Sequence, residues 1–198
     1  VAHRKLGGEY GFLASKVVWK DGTICRMNVP KKSFLSKVNN FDESYQRIIL
    51  ATFVSFFVMR KIVKKYGYPI KEFFVWTDDW EYSRRISRGE KCYYIPESVV
   101  IHKSQTNSGA SLDKVDDRLE RFTYMYRNES YVFRREGLIG GILFKIRLFL
   151  HRYRIWRSNK NDKKERIKIM KDAVRAERSF NPTIEYPKEL TKKRGEVE

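Results

Sequence analysis

The sequence predicts an α/β fold, and three features of the chain lead to that prediction. Segments rich in β-branched and aromatic residues alternate with segments of helical periodicity. Apolar residues make up 41% of the 198 positions, which is enough to form a hydrophobic core. The longest apolar run, residues 48–59, is shorter than the ~20 residues that a membrane-spanning helix needs. We therefore expect an ordinary globular domain followed by a tail.

The first part of the chain is predicted to contain strands and one short helix. Residues 9–30 are β-rich on both sides of Asp21-Gly22, a strong turn signal, so they are expected to form a hairpin. Residues 51–59 are dense in β-branched and aromatic side chains and predict a buried strand. A short basic helix over 60–66 should end at Gly67.

The middle of the chain predicts a second helix between apolar segments. A strand-like apolar run over 73–76 leads into a helix over 78–88. Residues 92–95 and 98–102 predict two short strands, which Pro96 separates because proline cannot donate a hydrogen bond to a ladder.

The C-terminal part of the chain is predicted to be helical and basic. A small-polar stretch over 103–112 indicates a mobile loop. Helices are expected over 119–136 and 138–156. After Ser158 the chain is highly charged, and we expect a solvated helix or tail that frays towards Thr191.

Lysine and arginine outnumber aspartate and glutamate by 42 to 24, which gives a net charge of +18. Such an excess indicates an anionic partner, such as a nucleic acid, a phosphorylated substrate or an acidic membrane surface. The predicted helix over 138–156 places its apolar residues on one face and cations between them, which is typical of a helix lying on an anionic membrane. An ordinary helix that packs on the domain with a solvated basic face fits equally well. The two cysteines, Cys25 and Cys92, are too few for a disulfide scaffold and fit a reducing cytoplasm.

Acidic residues cluster where the apolar run over 73–76 meets the next helix. Asp78, Asp79 and Glu81 lie in its first turn, where the helix dipole and free N–H groups favour ionised carboxylates. Such a carboxylate can accept a proton from a substrate hydroxyl or help to hold a cation. A capping box formed by Asp78 and Glu81 is the simpler explanation, but it leaves Asp79 unexplained.

Two tryptophans and one histidine accompany these acids. Trp76 and Trp80 flank the aspartates, and indoles beside carboxylates can hold a sugar or a base, although core packing is the commoner role. His102 ends the strand that follows and could reach a metal or a phosphate, although a lone histidine is more often structural.

The blocks over residues 51–103 resemble family 2 glycosyltransferases. In order they are an apolar strand, a short helix ending in glycine, an FF-W-DD-EY block over 73–82 and a YY-P-V-H block over 93–102. Tyr126-Arg127-Asn128 matches an aromatic-Arg-Asn element that follows in the family. The blocks are most similar to the rhamnosyltransferase and galactofuranosyltransferase branch, and the resemblance covers roughly residues 9–135.

The resemblance implies a GT-A fold and an inverting transfer of a rhamnosyl or galactofuranosyl group from a nucleoside-diphosphate sugar to a glycan or lipid-linked acceptor. Asp79 would be the base that deprotonates the acceptor hydroxyl, with Asp78 beside it. His102 would bind a divalent metal, Mn²⁺ or Mg²⁺, that neutralises the diphosphate. The expected setting is cell-surface polysaccharide synthesis, on the cytoplasmic, inner face of the cell membrane. Three further residues would bind the acceptor: Trp76, Trp80 and Glu81.

One element of the family is missing from the sequence. The family's donor-binding half comes first and carries an Asp-x-Asp motif, whereas this sequence has no such motif and its nearest equivalent, residues 113–116, has the wrong spacing. We therefore expect residues 1–135 to be the acceptor-side part of a GT-A-like domain and residues 136–198 to be a basic helical region with a frayed end. The chain by itself is then expected to be inactive.

The alternative function is a non-catalytic basic module that binds a membrane surface or a nucleic acid. No nucleic-acid recognition motif is present, and the basic residues crowd the C-terminal helices rather than a sheet face. The sequence therefore favours a membrane surface over a nucleic acid as the anionic partner.

Overall fold

A computed structural model describes residues 1–188. This part of the chain folds into a four-stranded sheet with helices packed against it, so the predicted α/β class is confirmed. The strands are β1 (Phe12–Trp19), β2 (Gln46–Arg47), β3 (Phe57–Val58) and β4 (Tyr93–His102). The helices are α1 (Ala2–Lys5), α2 (Arg60–Tyr66), α3 (Asp78–Ser87), α4 (Arg121–Arg134), α5 (Gly137–Arg157) and α6 (Lys163–Ala176).

The sheet is mixed, with strand order β2-β4-β1-β3. The two long strands, β1 and β4, run parallel in the centre, and each short strand pairs antiparallel at an edge. The β1–β4 register shifts where Ser15 pairs with Ile95 and the next residue of β1 pairs with Val99. Pro96 lies in this bulge. The two strands predicted on either side of Pro96 are therefore one strand, because the bulge removes the ladder bond that proline could not make.

Two of the predicted strands near the N-terminus are wrong. Residues 51–59 form a 3₁₀ turn over Phe53–Ser55 and the two-residue β3, and Phe57 is exposed rather than buried. Only the first two residues of β1 pair with β3, so this apolar run lies along a sheet edge. The second arm of the predicted hairpin makes a single bridge at Ile24 and then a 3₁₀ turn over Arg26–Asn28.

The main core lies between the sheet and helices α2 and α3. Phe12 and Tyr94 contribute from the central strands, and Tyr82 and Ile86 contribute from the inner face of α3. Helix α2 ends as predicted at Gly67, whose φ of 76° is a conformation that glycine adopts without strain. These contacts fix α3 against the sheet.

A second core joins α4, α5 and α6. Phe122 and Met125 of α4 pack with Ile155 of α5 and Met170 of α6. The helix pair α4–α5 therefore spans the boundary predicted at residues 135 and 136, with Gly137 at the turn.

The C-terminal segment after α6 returns to the body of the protein. Phe180 packs on Phe73, and the backbone N–H of Tyr68 donates to the Glu185 carbonyl at 2.8 Å. The charged helix expected after Ser158 is present as α6, and the segment that follows it packs back on the protein as far as residue 188. The end predicted at Thr191 lies outside the described residues. Among residues 1–188, no helix combines the length and apolar character needed to cross a bilayer.

Candidate active site

The candidate site lies at the start of α3, whose first two residues are Asp78 and Asp79. The N-cap residue is Thr77, and no side chain caps the helix, so the predicted capping box is wrong. One carboxylate oxygen of Asp79 accepts a hydrogen bond from the Trp80 backbone N–H at 2.8 Å. Asp79 therefore satisfies one first-turn N–H group of α3 from within the helix.

The loop before α3 is a strained turn rather than the predicted strand-like run. Phe74, Trp76 and Thr77 all have positive φ, which bulky and β-branched residues rarely adopt. The fully buried side chain of Asn128 donates to the carbonyls of Phe73 and Trp76 at 2.9 and 2.8 Å and holds the loop in place. Strained backbone of this kind is concentrated at functional sites.

Neighbouring residues raise the pKa of both aspartates. Burial, followed by the adjacent charge of Asp78, raises the pKa of Asp79 to about 7. Burial also raises the pKa of Asp78. The Asp79 side chain nevertheless keeps partial contact with solvent. A partly accessible carboxyl that titrates near neutral pH can accept a proton from a substrate at physiological pH.

The rest of α3 is anchored by ion pairs. Glu81 is buried, and both of its carboxylate oxygens accept hydrogen bonds from Arg85, which in turn donates to the backbone carbonyls of Tyr66 and Tyr68. Glu81 is thus occupied in holding the helix and is not free to contact an acceptor. Arg84 makes two 2.8 Å hydrogen bonds to Glu136, at the turn between α4 and α5.

The two tryptophans have different surroundings. Trp76 packs against Phe122 in the second core, with ring centroids 5.1 Å apart. The Trp80 ring lies beside two cations: the Lys31 ammonium is 3.9 Å from its centroid and the Arg147 guanidinium is 6.0 Å away. Of the two indoles, only Trp80 lies against cations that line a surface groove.

This groove, of about 190 Å³, lies between α5 and the loop that carries Lys31. Burial, with help from Arg147 and Lys37, lowers the pKa of Lys31 to about 8. Arg147 is held by two hydrogen bonds from its guanidinium to the buried Glu129, at 2.7 and 2.6 Å. Apolar side chains line the groove together with these cations: Phe34, Leu35, Leu143, Ile146 and Leu150.

Sequence reasoning missed Lys31 and the role of Arg147 in this groove. Nothing in the sequence around Lys31 marks it, because it reaches Trp80 only through the tertiary fold. The position of Arg147 gave a clue, because it lies four residues before His151 and the two side chains therefore share one face of α5. That face is turned towards the protein, and both residues line the groove.

His102 lies at the end of β4 in a polar cluster with Asn28 and Cys25. The Asn28 amide nitrogen donates to the Thr52 hydroxyl at 2.9 Å, which turns its oxygen towards His102 Nδ1 at 2.8 Å. In the tautomer that matches this amide orientation, Nδ1 donates to Asn28 and Nε2 is the nitrogen that could bind a metal.

A single imidazole nitrogen does not make a Mg²⁺ or Mn²⁺ site, since such ions take several ligands and Mg²⁺ requires oxygen. Within residues 1–188, no group of three or more histidine, cysteine or acidic side chains could hold a metal. The metal-binding role predicted for His102 stays a prediction.

Comparison of the chain with protein-family models, curated proteins and solved structures gives no match.

Proposed function

We propose that this chain is the acceptor-side part of a GT-A-type inverting glycosyltransferase, similar to the rhamnosyl and galactofuranosyl transferases of family 2. The observation that carries the proposal is the Asp79 carboxyl, which lies at a strained helix start and titrates near pH 7. The resemblance of the blocks around it supplies the reaction class. The proposed setting is cell-surface polysaccharide synthesis at the cytoplasmic face of the cell membrane.

In the proposed reaction, Asp79 takes the proton of an acceptor hydroxyl while the hydroxyl oxygen attacks the anomeric carbon of a nucleoside-diphosphate sugar. The new carbon–oxygen bond forms as the bond to the diphosphate breaks, so the anomeric centre is inverted and the nucleoside diphosphate leaves. A base with a pKa near the working pH suits this step, because about half of it is ionised and the ionised form is still basic. Asp78 supplies the neighbouring negative charge that, after burial, raises the pKa of Asp79.

The groove beside Trp80 is the proposed acceptor subsite. The indole offers a flat surface for a sugar ring, and Lys31 and Arg147 offer charges for a phosphate. This combination suits a glycan that carries a phosphate, as a lipid-linked acceptor does. Trp76 packs partly against the second core, so we assign the stacking role to Trp80.

Donor binding is not assigned to any described residue. The sequence has no Asp-x-Asp motif, and the described side chains do not make up a divalent-metal site, so we derive no step through a metal. The proposal therefore concerns the acceptor and the base. Activity should be measured on the longest natural protein that contains this sequence.

A non-catalytic binding module is the competing function, and Asp79 argues against it. A carboxyl whose pKa is raised from 3.8 to about 7 destabilises the folded protein at neutral pH. A module that only binds a surface gains nothing from that loss of stability, whereas a base needs it.

The test is a transfer assay on that longest protein, with nucleoside-diphosphate rhamnose and nucleoside-diphosphate galactofuranose as donors and a panel of short glycans as acceptors. Asp79→Asn should lower kcat by about 10²–10⁴-fold and remove a limb of the pH–rate profile near pH 7. Asp117→Asn changes an exposed carboxylate away from the site and should leave the rate unchanged. Full activity in Asp79→Asn would show that the base is elsewhere.

A further inference from the structure

The outer face of α5 is an exposed apolar surface. Its inner face is buried through Gly140, Phe144 and Ile155. Six large side chains on the opposite face are between 50% and 83% exposed, and we call them the outer stripe: Leu138, Ile139, Ile142, Ile146, Phe149 and Trp156. At 100° per residue these positions fall within an arc of roughly 100° that runs the length of the helix.

Cations border this outer stripe, and carboxylates are absent from the helix. Lys145 and Arg152 follow one edge of the arc and Arg154 lies beyond the other edge. Residues 137–157 contain no aspartate or glutamate. Long basic side chains beside an apolar surface can lay their carbon chains on it and direct their charges to anionic groups at its rim.

An anionic lipid surface fits this pattern better than a second copy of the chain. If two outer stripes packed together around a two-fold axis, Lys145 and Arg152 of both copies would be drawn together, and α5 has no carboxylate to compensate. A bilayer of anionic lipids offers acyl chains to the outer stripe and phosphates to the bordering cations.

We propose that α5 lies along an anionic bilayer, with the outer stripe at the boundary between headgroups and acyl chains. Trp156, near the C-terminal end of the helix, lies at headgroup level, the depth that indole rings favour. Ile146 belongs to both the outer stripe and the cationic groove, so the groove opens next to the lipid surface. The proposal goes beyond sugar transfer and does not depend on it.

Vesicle co-sedimentation of the whole 198-residue chain tests the proposal without any sugar substrate. The protein should sediment with phosphatidylcholine vesicles that contain about 30% phosphatidylglycerol, and only weakly with phosphatidylcholine alone. The triple variant Ile142→Ser/Ile146→Ser/Phe149→Ser should bind the anionic vesicles about tenfold or more weakly.

The chain offers a matched control for the triple variant. Phe74→Ser/Val99→Ser/Ile101→Ser removes three apolar side chains of similar exposure outside α5 and should leave vesicle binding unchanged. Circular dichroism of both triple variants checks that they fold. In addition, brominated lipids should quench part of the tryptophan fluorescence of the wild type, and Trp156→Phe should lose most of that quenching although the other three tryptophans remain.

Three results would overturn the proposal. One is equal vesicle binding by the wild type and the Ile142/Ile146/Phe149 variant. Another is a wild type that does not bind vesicles and is a dimer by light scattering, while the variant is a monomer. That result would assign the outer stripe to contact with a second copy of the chain. The third is the absence of vesicle binding by a folded, monomeric wild type.

Discussion

In α3, Glu81 and the arginines that follow the two aspartates are paired inside the protein. In α5, the inner face is packed and the outer face carries exposed apolar residues between cations. Glu81 and Arg84 of α3 both form ion pairs of low exposure, and the first-turn aspartates have no cationic partner among the described ion pairs of residues 1–188. Phe144 and Phe149 of α5 have the same chemistry and opposite exposure. Helix α3 is thus held to the body of the protein by ion pairs, whereas α5 is packed on one face and exposed on the other.

The largest expected effect comes from the two phenylalanines of α5. Phe144 is 6% exposed and stacks on Phe133, so Phe144→Ala should lower the free energy of unfolding by about 3–4 kcal/mol. Phe149 is 69% exposed, so Phe149→Ala should change the free energy by no more than about 0.5 kcal/mol. Urea unfolding measures both. A loss above 1 kcal/mol in Phe149→Ala would mean that the outer stripe contributes to folding, and the contrast with the inner face would fail.

Asn128 tests how rigidly the start of α3 is held. Asn128→Leu keeps the volume but removes the donors to two loop carbonyls, and it should lower the free energy of unfolding by about 2–3 kcal/mol. Asn159→Leu, at an exposed position, is the control and should be nearly neutral. If the two variants unfold at the same urea concentration, the strained loop does not depend on Asn128.

Replacing Asp79 should show that its buried carboxylate lowers the free energy of unfolding at neutral pH. Its folded pKa of about 7 lies above the unfolded value of 3.8, so the stability lost to ionisation grows between these two pH values and is constant above pH 7. The difference between the two pKa values corresponds to roughly 4 kcal/mol, and the partial solvent contact of Asp79 reduces the expected gain. The free energy of unfolding of Asp79→Asn should therefore exceed that of the wild type by about 2 kcal/mol at pH 8 and by close to nothing at pH 4. Asp117→Asn should show no such trend. A pH-independent difference in Asp79→Asn would mean that the carboxyl is not desolvated.

Replacing Lys31, which lines the groove, should have a smaller effect on the free energy of unfolding. Burial lowers its pKa to about 8 from 10.5, so the folded protein is least stable below pH 8 and gains stability as the amine loses its proton up to pH 10.5. Lys31→Met should raise the free energy of unfolding by about 1 kcal/mol at pH 7, because loss of the contact with Trp80 offsets part of the gain. Lys32→Met, at the exposed neighbouring residue, should have no measurable effect. Destabilisation by Lys31→Met would show that its contact with Trp80 outweighs its desolvation.

Local patterns predicted the helices well. Gly67 ends α2 because of its own backbone freedom, and the periodicity of α4 and α5 comes from side chains a few residues apart. The acidic pair at the start of α3 could also be recognised from the sequence, because Asp78 and Asp79 are consecutive. These features depend on residues that are close in sequence, so the sequence is sufficient to predict them.

Features that depend on distant residues were not predictable in the same way. The apolar run over 51–59 was expected to be a buried strand. Its pairing depends on β1, which is distant in the sequence, and only two residues of the run pair with β1. The strained turn before α3 depends on Asn128, some fifty residues away in the chain. The groove depends on Lys31 meeting Trp80 and α5.

By itself, the sequence determined the α/β class, the helices, the positive charge and the acidic pair, because composition and short-range periodicity encode them. Only the tertiary structure decided which carboxyl is desolvated, which tryptophan borders the groove and which face of α5 stays exposed. Burial and electrostatic environment are set by contacts between residues far apart in the chain, and no local pattern records those contacts.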